Sequence, residues 1–273
     1  MGHKFLRALL LAAGMGTRLK PLTDIWPKCL MPIRAVPLLD YWLATVKEIG
    51  VDNVLVNVHS HAACVNEFLG RRKFRGWVMS VNEPMLLGTA GTLSVNANFF
   101  RGSTVLLVHA DNWCHCDFSD FINYHFNRRP KDCLITMMTF STDFPQSCGI
   151  VETDDSGVVT AFHEKVLNPP GNRANAAIYL LEPQVLEWLE SQTDITDFST
   201  EVLPRYVGRI STWHNSEIHR DIGTLSELRA AQADLVPAHF VFGKDEWQRG
   251  FESSAIFNNL IRYIESQGLL NER

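Results

Sequence analysis

The sequence predicts an α/β protein with a mixed, mostly parallel sheet, helices on both faces of that sheet and a small antiparallel insertion. Short apolar runs alternate with segments whose apolar residues recur at helical spacing, and this alternation is typical of βαβ units. In the middle of the chain only strand and turn patterns occur. The 273 residues are 46% hydrophobic and 20% charged, which suffices for a large core and excludes a disordered or low-complexity chain.

The first half of the chain supplies the parallel strands. An apolar run at residues 6–12 predicts a buried strand, and helical spacing at 37–49, which stops at Gly50, predicts an amphipathic helix. The same alternation predicts strands at 53–58, 78–82, 104–108 and 133–140, and helices at 62–69, 89–98 and 119–127. Ser119 is the expected N-cap of the last of these helices, because a serine hydroxyl accepts a hydrogen bond from a free backbone N–H.

The insertion spans about residues 141–175. It contains two predicted strands, 149–153 and 158–163, which are joined by a turn at 154–157. Strands at 176–181 and 209–214 and helices near 200–207 and at 226–235 follow. We therefore expect one domain over residues 1–236 and a helical extension over residues 237–273.

The extension carries an apolar stripe at helical spacing that ends before Gly268. Its members are Ala255, Ile256, Leu260, Ile261 and Ile264. Such a stripe packs either on the preceding domain or on a second copy of the chain. Packing within the chain is the simpler expectation, and a homo-oligomer is the alternative.

Charge and composition narrow the choice of partners. The formal net charge of −5 provides no general attraction to nucleic acid or to an anionic membrane. Six cysteines are spread through a chain whose core needs no disulfides, so we expect reduced thiols. The apolar run near the start is too short for a signal peptide, and no run is long enough to span a bilayer. A soluble cytoplasmic protein is the expectation.

A turn with two glycines and nearby cations follows the first predicted strand. Residues 10–17 are Leu-Leu-Ala-Ala-Gly-Met-Gly-Thr, and Arg18 and Lys28 follow. Gly14 and Gly16 allow backbone N–H groups to approach anionic oxygens closely, as a phosphate site requires. The dinucleotide-binding fingerprint does not fit, because it needs Gly or Ala where the chain has Leu19, and the P-loop spacing fails as well.

The stretch from Gly14 to Lys28 resembles the signature of the sugar-1-phosphate nucleotidyltransferases, which is Gly-x-Gly-Thr-Arg-Leu-x-Pro-Leu-Thr followed closely by Pro-Lys. Further elements occur in family order between about residues 5 and 235. The resemblance implies a Rossmann-like fold, a catalytic domain over residues 1–236 and a sugar-binding role for the insertion. It also implies a reaction in which a sugar 1-phosphate oxygen attacks the α-phosphorus of a nucleoside triphosphate, yielding a nucleotide sugar and pyrophosphate.

On the nucleotide side, the resemblance implies that Arg18 and the glycine turn hold the triphosphate and that Lys28 binds the α-phosphate. Glu83-Pro84 and Leu-Gly-Thr-Ala-Gly at 87–91 resemble the family's base- and ribose-binding loop, where small residues let the nucleobase lie against the backbone. The implied nucleotide-binding residues are Leu11, Ala12, Ala13, Gly14, Met15, Gly16, Thr17, Arg18, Lys28, Glu83, Gly88, Thr89 and Ala90.

Two aspartates resemble the family's metal ligands. Asp111 follows the strand at 104–108, at the edge where open α/β sheets bind ligands, and Ala110 stands where the family usually has Gly. Asp221 begins an Asp-Ile-Gly-Thr element. The resemblance implies that both aspartates hold Mg²⁺, which commonly takes one or two carboxylates together with phosphate oxygens. Arg18, Lys28 and Asp111 make up the implied catalytic set.

The sugar phosphate has its own family elements. Phe-His-Glu-Lys at 162–165 resembles a Glu-Lys-Pro element in which the lysine meets the sugar phosphate and the glutamate a sugar hydroxyl, although Val166 replaces the proline. Asn-Ala-Ala-Ile-Tyr at 175–179 resembles an Asn-x-Gly-Ile-Tyr strand, with Ala177 in place of Gly. The implied sugar-phosphate-binding residues are Gly149, Glu164, Lys165 and Asn175.

The base loop looks most like that of mannose-1-phosphate guanylyltransferases and related heptose guanylyltransferases, so GTP with mannose 1-phosphate or a related sugar is favoured. A uridylyl- or thymidylyltransferase acting on glucose 1-phosphate or an amino-sugar 1-phosphate is the first alternative. The second is an inactive protein that binds a nucleotide sugar and regulates a partner. It is disfavoured because Lys28, Asp111 and Asp221 are all present.

Three other kinds of site fit the sequence less well. A zinc site at His109, Cys114, His115 and Cys116 does not have the required spacing, because the Cys114-x-Cys116 pair would need two further ligands at a workable distance and no second cysteine pair follows. A metal-dependent glycosyltransferase would need an Asp-x-Asp motif, whereas Asp111 is followed by Asn112 and Trp113. A serine hydrolase would need the Gly-x-Ser-x-Gly elbow, which the sequence does not contain.

Overall fold

Residues 5–237, 240 and 242–266 are described by the computed structural model, and they alternate between strands and helices as the sequence predicts. The strands are β1 (Leu6–Leu11), β2 (Pro32–Ile33), β3 (Val36–Pro37), β4 (Asn53–Val58), β5 (Val78–Asn82), β6 (Thr104–His109), β7 (Asn112–His115), β8 (Ile135–Ser141), β9 (Gly149–Thr153), β10 (Val159–Glu164), β11 (Arg173–Leu181), β12 (Ile210–His214) and β13 (Ile218–Asp221). The helices are α1 (Leu22–Ile25), α2 (Leu38–Glu48), α3 (Ala62–Leu69), α4 (Gly88–Val95), α5 (Ala97–Phe100), α6 (Phe118–Asn123), α7 (Pro183–Glu190), α8 (Leu225–Ala233), α9 (Glu246–Ser253) and α10 (Ala255–Ser266).

Strand β1 lies at the centre of the main sheet, which has nine strands within the described residues. It pairs in parallel with β4 on one side and with β6 on the other, and β5 extends the parallel part beyond β4. Strand β11 runs antiparallel to β6 and pairs along its other edge with β8 and β9. The inserted strands β9 and β10 form an antiparallel hairpin that continues this sheet. The predicted mixed α/β fold is confirmed.

The order of the central strands places a crevice at the carboxyl end of β1. The chain passes from β1 to β4 on one side and later returns to β6 on the other, so the strand order reverses at β1. Open α/β sheets bind ligands at such a reversal, outside the carboxyl ends of the strands. Leu11 and His109 are paired at these two ends, and the glycine turn and Asp111 follow them directly.

Both faces of the sheet are covered, because its side chains point alternately to two apolar clusters. Ala8 and Leu10 of β1 belong to a cluster shared with α2 and α3, whereas Leu9 belongs to one shared with α4 and α7. All three side chains are fully buried. None of the helices within the described ranges has the length and apolar character that a membrane span would need.

The start of α6 differs from the sequence prediction. The helix begins at Phe118, and the Asp117 carboxylate accepts a hydrogen bond from the Asp120 N–H at 2.8 Å. Asp117 is therefore the N-cap, and the prediction of Ser119 as the cap is wrong. Aspartate is as good an N-cap as serine. Which of the two residues caps the helix depends on the residue at which the chain leaves the preceding strand and turns into the helix.

Two predicted helices are broken. The segment near 200–207 forms a π turn, Phe198–Val202, followed by a 3₁₀ turn, Leu203–Tyr206. Pro204 has no N–H to continue an α-helical ladder, so a regular helix cannot run through it. The helix predicted at 89–98 is interrupted at Asn96 and becomes α4 and α5.

The extension contains two helices in the part that is described. Helix α9 was missed by the sequence analysis because Gly250 lowers helix propensity, yet Phe251 stacks on Trp26 with ring centroids 4.7 Å apart. In α10, Leu260 and Ile264 are buried in the same cluster as the α2 and α3 side chains, so this part of the stripe packs within the chain, whereas Ala255 and Ile256 are exposed. Residues 238, 239, 241 and 267–273 of the predicted extension lie outside the described residues.

Candidate functional site

The glycine turn after β1 has one position that only glycine fits. Gly16 has a φ of +60°, and a Cβ there would lie 2.8 Å from Thr23 Cγ2 and 3.2 Å from Lys28 Cβ. The Gly16 carbonyl accepts hydrogen bonds from the Leu19 N–H and the Thr23 hydroxyl, each at 2.9 Å. By contrast, nothing lies within 4 Å of a Cβ at Gly14, so this part of the turn borders open space.

The other predicted residues of the turn divide by exposure. Ala12 and Ala13 are buried at its base, whereas Met15, Thr17 and Arg18 are exposed. A ligand entering the crevice would therefore meet the backbone of the turn and the exposed side chains of Met15, Thr17 and Arg18 before the buried alanines.

A small antiparallel sheet brings the two predicted metal ligands together. Strand β13 pairs with β7 so that Asp221 lies opposite Asn112, and the Ile222 N–H donates to the Asp111 carbonyl at 3.1 Å. This ladder was not predicted, because four-residue strands are too short to show a period. It connects positions that are far apart in the sequence and fixes both aspartates at the carboxyl end of β6.

A lysine ammonium lies between these two carboxylates. Lys28 Nζ is 2.6 Å from Asp111 Oδ2 and 3.0 Å from Asp221 Oδ1, and Arg18 Nη2 is 2.7 Å from the other Asp221 oxygen. The Lys28 side chain is only 7% exposed, whereas Asp111 and Asp221 are 29% and 47% exposed. Four residues predicted from separate motifs therefore meet in one charged cluster that opens to solvent on the carboxylate side.

Gly223 leaves the space that Arg18 occupies. A Cβ at Gly223 would lie 2.6 Å from Arg18 Nη2 and 2.9 Å from Nη1, which is closer than any real Cβ contact. The guanidinium thus packs flat against the backbone of the Asp221–Gly223 segment. This contact explains on steric grounds why the Asp-Ile-Gly-Thr element has a glycine at position 223.

The opposite charges in the cluster favour the ionised form of each group. Burial alone would lower the pKa of the Lys28 ammonium, but the charges of Asp111 and Asp221 outweigh it and raise that pKa. Burial would likewise raise the pKa of Asp221, but Lys28 and Arg18 outweigh it and lower that pKa. The hydrogen bond to Asp221 raises the pKa of Arg18. All three groups are therefore charged at neutral pH.

The donor set of this cluster fits a hard divalent cation. Asp111 and Asp221 offer carboxylate oxygens, which Mg²⁺ prefers. Within the described ranges, no group of three or more His, Cys, Asp and Glu side chains could hold a metal, so the remaining ligands would have to be water or phosphate oxygens. A cation bound between these carboxylates would take the place of the Lys28 ammonium.

The predicted base-binding residue Glu83 lies beneath its loop. Its side chain is 4% exposed, and Oε1 accepts hydrogen bonds from Asn57 Nδ2 at 2.9 Å and from the Thr92 hydroxyl at 2.5 Å. Oε2 accepts one from the Leu87 N–H at 3.2 Å. The carboxylate thus shapes the loop from below. The sequence analysis missed Asn57 and Thr92, because a single buried polar residue makes no pattern.

The start of α4 is closed by another segment. Gly88 has a φ of +77°, and a Cβ there would overlap the Thr196 carbonyl, which also accepts a hydrogen bond from the Ala90 N–H at 2.8 Å. The Thr89 hydroxyl accepts one from the Phe198 N–H at 2.7 Å. The predicted residues Gly88, Thr89 and Ala90 are thus held in place by a segment that the sequence did not single out.

Three of the predicted sugar-phosphate residues meet on the hairpin of β9 and β10. A Cβ at Gly149 would lie 2.5 Å from Glu164 Oε2, so the carboxylate lies directly over this glycine. Lys165 Nζ is 3.3 Å from Glu164 Oε1, and its side chain is 65% exposed. Lys165 is therefore free to reorient towards an anion while Glu164 stays in place.

The fourth, Asn175, supports a bend in β11. The pairing of β11 with β8 shifts register between Asn175 and Tyr179, and Ala177 within this bend has a φ of +54°. Asn175 accepts a hydrogen bond from the Ala177 N–H at 3.0 Å and donates one to the Tyr179 hydroxyl at 2.6 Å. A left-handed backbone favours glycine, which accounts for the glycine that the resemblance expects at this position.

Comparison with known proteins agrees with the motif resemblance. A mannose-1-phosphate guanylyltransferase of Mycobacterium tuberculosis is 27% identical over 234 residues, which are 84% of this chain and 64% of that protein. A UTP–glucose-1-phosphate uridylyltransferase of Synechocystis is 28% identical over 218 residues, which are 74% of this chain and 55% of that protein. The chain thus spans between about half and two thirds of the length of these relatives.

The fold has a solved counterpart. A putative glucose-1-phosphate thymidylyltransferase of Bacillus anthracis, crystallised with sucrose, superposes with a TM-score of 0.75 at 23% identity, covering 88% of this chain and 98% of that one. The sequence profile described as Nucleotidyl transferase matches residues 7–237, which include the glycine turn, Lys28, Asp111 and Asp221. On the strength of that match, the chain belongs to the nucleotidyl transferase family.

Proposed function

We propose that the protein transfers a nucleotidyl group from a nucleoside triphosphate to a sugar 1-phosphate and releases pyrophosphate. The observation that carries the proposal is the Lys28 ammonium, held 2.6 Å from Asp111 and 3.0 Å from Asp221 at the mouth of the glycine turn. Nucleotidyl transfer needs positive charge next to a polyphosphate and carboxylates for its metal, and this cluster offers both.

The triphosphate would lie along the glycine turn. The open side of Gly14 admits phosphate oxygens to the backbone N–H groups, and the exposed Arg18 guanidinium can form two parallel hydrogen bonds to a phosphate. Lys28 would leave the carboxylates and contact the α-phosphate, where it would stabilise the charge that develops during transfer. The nucleobase and ribose would lie on the loop at 87–91, which Glu83 supports from below.

Asp111 and Asp221 would hold Mg²⁺. The ion would polarise the α-phosphoryl group and neutralise the charge of the leaving pyrophosphate. The protein's own contribution is to hold the two carboxylates at a fixed angle to each other. The β7–β13 ladder does this through the Asp221–Asn112 pairing.

The sugar 1-phosphate would bind between the insertion and the charged cluster. Lys165 would contact its phosphate, and Glu164 would accept a hydrogen bond from a sugar hydroxyl, with Gly149 and Asn175 shaping the pocket around them. The attacking phosphate is already ionised at neutral pH, so no protein nucleophile is needed, and the residues act by in-line positioning. Residues 1–236 would thus form the catalytic domain, with its sugar-binding part at about 141–175.

We further propose GTP and mannose 1-phosphate, or a related sugar 1-phosphate, as the substrates. This choice is supported by the Leu-Gly-Thr-Ala-Gly loop and by the Mycobacterium tuberculosis relative, which is a mannose-1-phosphate guanylyltransferase. The Synechocystis relative is a uridylyltransferase, so UTP or dTTP with glucose 1-phosphate is the second candidate.

Pyrophosphate release tests the reaction and the substrates together. The purified protein with Mg²⁺ is assayed with GTP, UTP, dTTP, ATP and CTP against mannose, glucose, heptose and N-acetylhexosamine 1-phosphates. We expect the strongest signal with GTP and mannose or heptose 1-phosphate. A signal with UTP or dTTP alone would keep the reaction and refute the assignment of the base.

Variants of the cluster connect the signal to the site. Lys28→Ala and Asp111→Asn should each lower turnover by at least about 100-fold, the scale of one preorganised charge contact. Lys20→Ala is the matched control, because Lys20 lies in the same segment and its ammonium, among the residues that the structure describes, pairs with the exposed Asp24 at 2.9 Å. Silence with every substrate pair, together with thermal stabilisation by a nucleotide sugar, would favour an inactive binding protein.

A further inference from the structure

A buried asparagine connects the two loops that the proposed function assigns to the nucleotide. Asn57 lies in β4 and is 3% exposed. Its Oδ1 accepts a hydrogen bond from the Ala12 N–H at 2.8 Å, at the point where the glycine turn begins. Its Nδ2 donates to Glu83 Oε1 at 2.9 Å, at the start of the base loop. One side-chain amide thus contacts both loops.

Glu83 extends this connection into the base loop and α4. Its Oε2 accepts a hydrogen bond from the Leu87 N–H at 3.2 Å, and its Oε1 accepts one from the Thr92 hydroxyl at 2.5 Å. Thr92 is fully buried, and its hydroxyl also lies 2.9 Å from the Gly88 carbonyl, so its one proton is shared between two acceptors. A continuous set of buried hydrogen bonds therefore runs from the end of β1 to the first turn of α4.

Asparagine is suited to this place because its rigid amide presents an acceptor and a donor in opposite directions. An aspartate would turn a carboxylate oxygen towards Glu83 at about the present 2.9 Å, and two carboxylates at that distance repel each other. An apolar side chain would leave the Ala12 N–H without its partner, and a buried unpaired group is costly.

We propose that Asn57 is a positioning residue that fixes the separation of the phosphate turn and the base loop, and thereby sets the affinity for the nucleoside triphosphate. The inference rests on the proposed function, because it assumes that one nucleotide spans both loops. The base and the phosphates of a nucleotide are joined by a short tether, so a displaced loop loses its contacts.

The test is a pair of isosteric substitutions that reverses one hydrogen bond. Asn57→Asp places two carboxylates opposite each other. Glu83→Gln weakens the hydrogen bond between positions 57 and 83. The double variant restores this hydrogen bond in the reverse direction, with glutamine as donor and aspartate as acceptor. Calorimetry with Mg²⁺ and GTP, UTP or dTTP, without a sugar phosphate, measures binding alone. We expect Asn57→Asp to raise the dissociation constant of the preferred nucleotide roughly tenfold or more. The double variant should recover most of the lost affinity.

The control is Gln248→Glu, the same exchange of an amide for a carboxylate at a buried position in α9. Gln248 is 5% exposed, and its Nε2 donates to the Ala35 carbonyl at 2.7 Å and to Glu252 Oε1 at 3.1 Å. Gln248→Glu therefore also opposes two carboxylates, but it touches neither nucleotide loop nor the β7–β13 ladder. It should lower the melting temperature as Asn57→Asp does but leave nucleotide affinity unchanged. In steady-state kinetics, Asn57→Asp should raise KM for the nucleotide more than it lowers kcat at saturation.

The outcomes separate this inference from the proposed function. Wild-type nucleotide affinity in Asn57→Asp, or equal losses of affinity in Asn57→Asp and Gln248→Glu, would overturn the positioning role and leave the proposed function intact. A wild-type protein that binds no nucleotide would overturn both. If Asn57→Asp does not fold, Glu83→Gln decides alone, and unchanged affinity in that variant would overturn the inference.

Discussion

Replacing Lys28 by methionine should let the two carboxylates bind a divalent cation without any nucleotide. In the wild type the ammonium lies 2.6 Å from Asp111 and 3.0 Å from Asp221, where a shared metal ion would have to lie. Methionine keeps the length and the apolar stem of the side chain and removes its charge. The wild-type site should therefore accept a metal ion well only when a phosphate draws Lys28 away.

The size of the effect follows from these two contacts. A pair of unit charges about 3 Å apart is worth roughly 1.4 kcal/mol in water and more where solvent is scarce. Asp111 and Asp221 are 29% and 47% exposed, so solvent screening keeps each contact near the lower figure. Lys28→Met removes both contacts, so metal binding should tighten at least roughly tenfold, because about 1.4 kcal/mol for a single contact already corresponds to a factor of ten.

Titration with Mn²⁺, followed by electron paramagnetic resonance in the absence of nucleotide, measures this affinity directly. Lys28→Met should bind Mn²⁺ at least roughly tenfold more tightly than the wild type, and Lys28→Met combined with Asp111→Asn should lose the gain. Lys20→Met, which removes an exposed lysine of the same segment, should resemble the wild type. Turnover of Lys28→Met should still fall by at least about 100-fold, so tighter metal binding and lower activity occur together. Equal Mn²⁺ affinity in wild type and Lys28→Met would refute the competition.

Three further substitutions test separate parts of the structure. Gly223→Ala places a methyl group about 2.6 Å from Arg18 Nη2, so we expect Arg18 to be displaced and GTP affinity, measured by calorimetry, to fall roughly tenfold; unchanged affinity would exclude Arg18 from binding. Ala177→Gly relieves a left-handed alanine at φ +54°, so the free energy of unfolding in urea should rise by roughly 0.5–1 kcal/mol, and a decrease would contradict this. A hydrogen bond from His125 is the main cause that lowers the pKa of Glu182 from 4.5 to about 2. Because that pKa is lower in the folded state, the carboxylate stabilises the fold above pH 4.5 and loses this effect as the pH falls towards 2. Glu182→Gln should therefore cost up to ~3 kcal/mol at pH 7 and progressively less below pH 4.5 in denaturation experiments, whereas a difference independent of pH would refute the charge effect.

The sequence predicted the parts of the fold that depend on local pattern. The apolar run before the glycine turn and the helical spacing before Gly50 each define an element with neighbours close in sequence, and both elements form as expected. The α9 helix was missed, because it depends on the stacking of Phe251 on Trp26. Tertiary contacts of this kind override a helix propensity that Gly250 lowers.

The candidate site was predictable residue by residue but not as an arrangement. The motifs singled out Lys28, Asp111 and Asp221, yet their meeting depends on the β7–β13 ladder, whose four-residue strands carry no readable period. Asn57 escaped notice for a related reason. Its importance comes from two partners, Ala12 and Glu83, that only the parallel packing of β1, β4 and β5 brings within reach.

The departures of this chain from the family motifs lie mostly on the acceptor side. A proline at position 166 would push Lys165 towards an extended backbone, and with Val166 in that place Lys165 has a φ of +48°. Ala177 keeps the left-handed bend of β11 but adds a methyl group to it. Ala110, the departure next to the metal ligands, is fully buried in the core and leaves Asp111 in contact with Lys28. Since the charged cluster keeps every residue of the motif while Val166 and Ala177 replace motif residues next to Lys165 and Asn175, the sugar 1-phosphate is where we expect this protein to differ from its relatives.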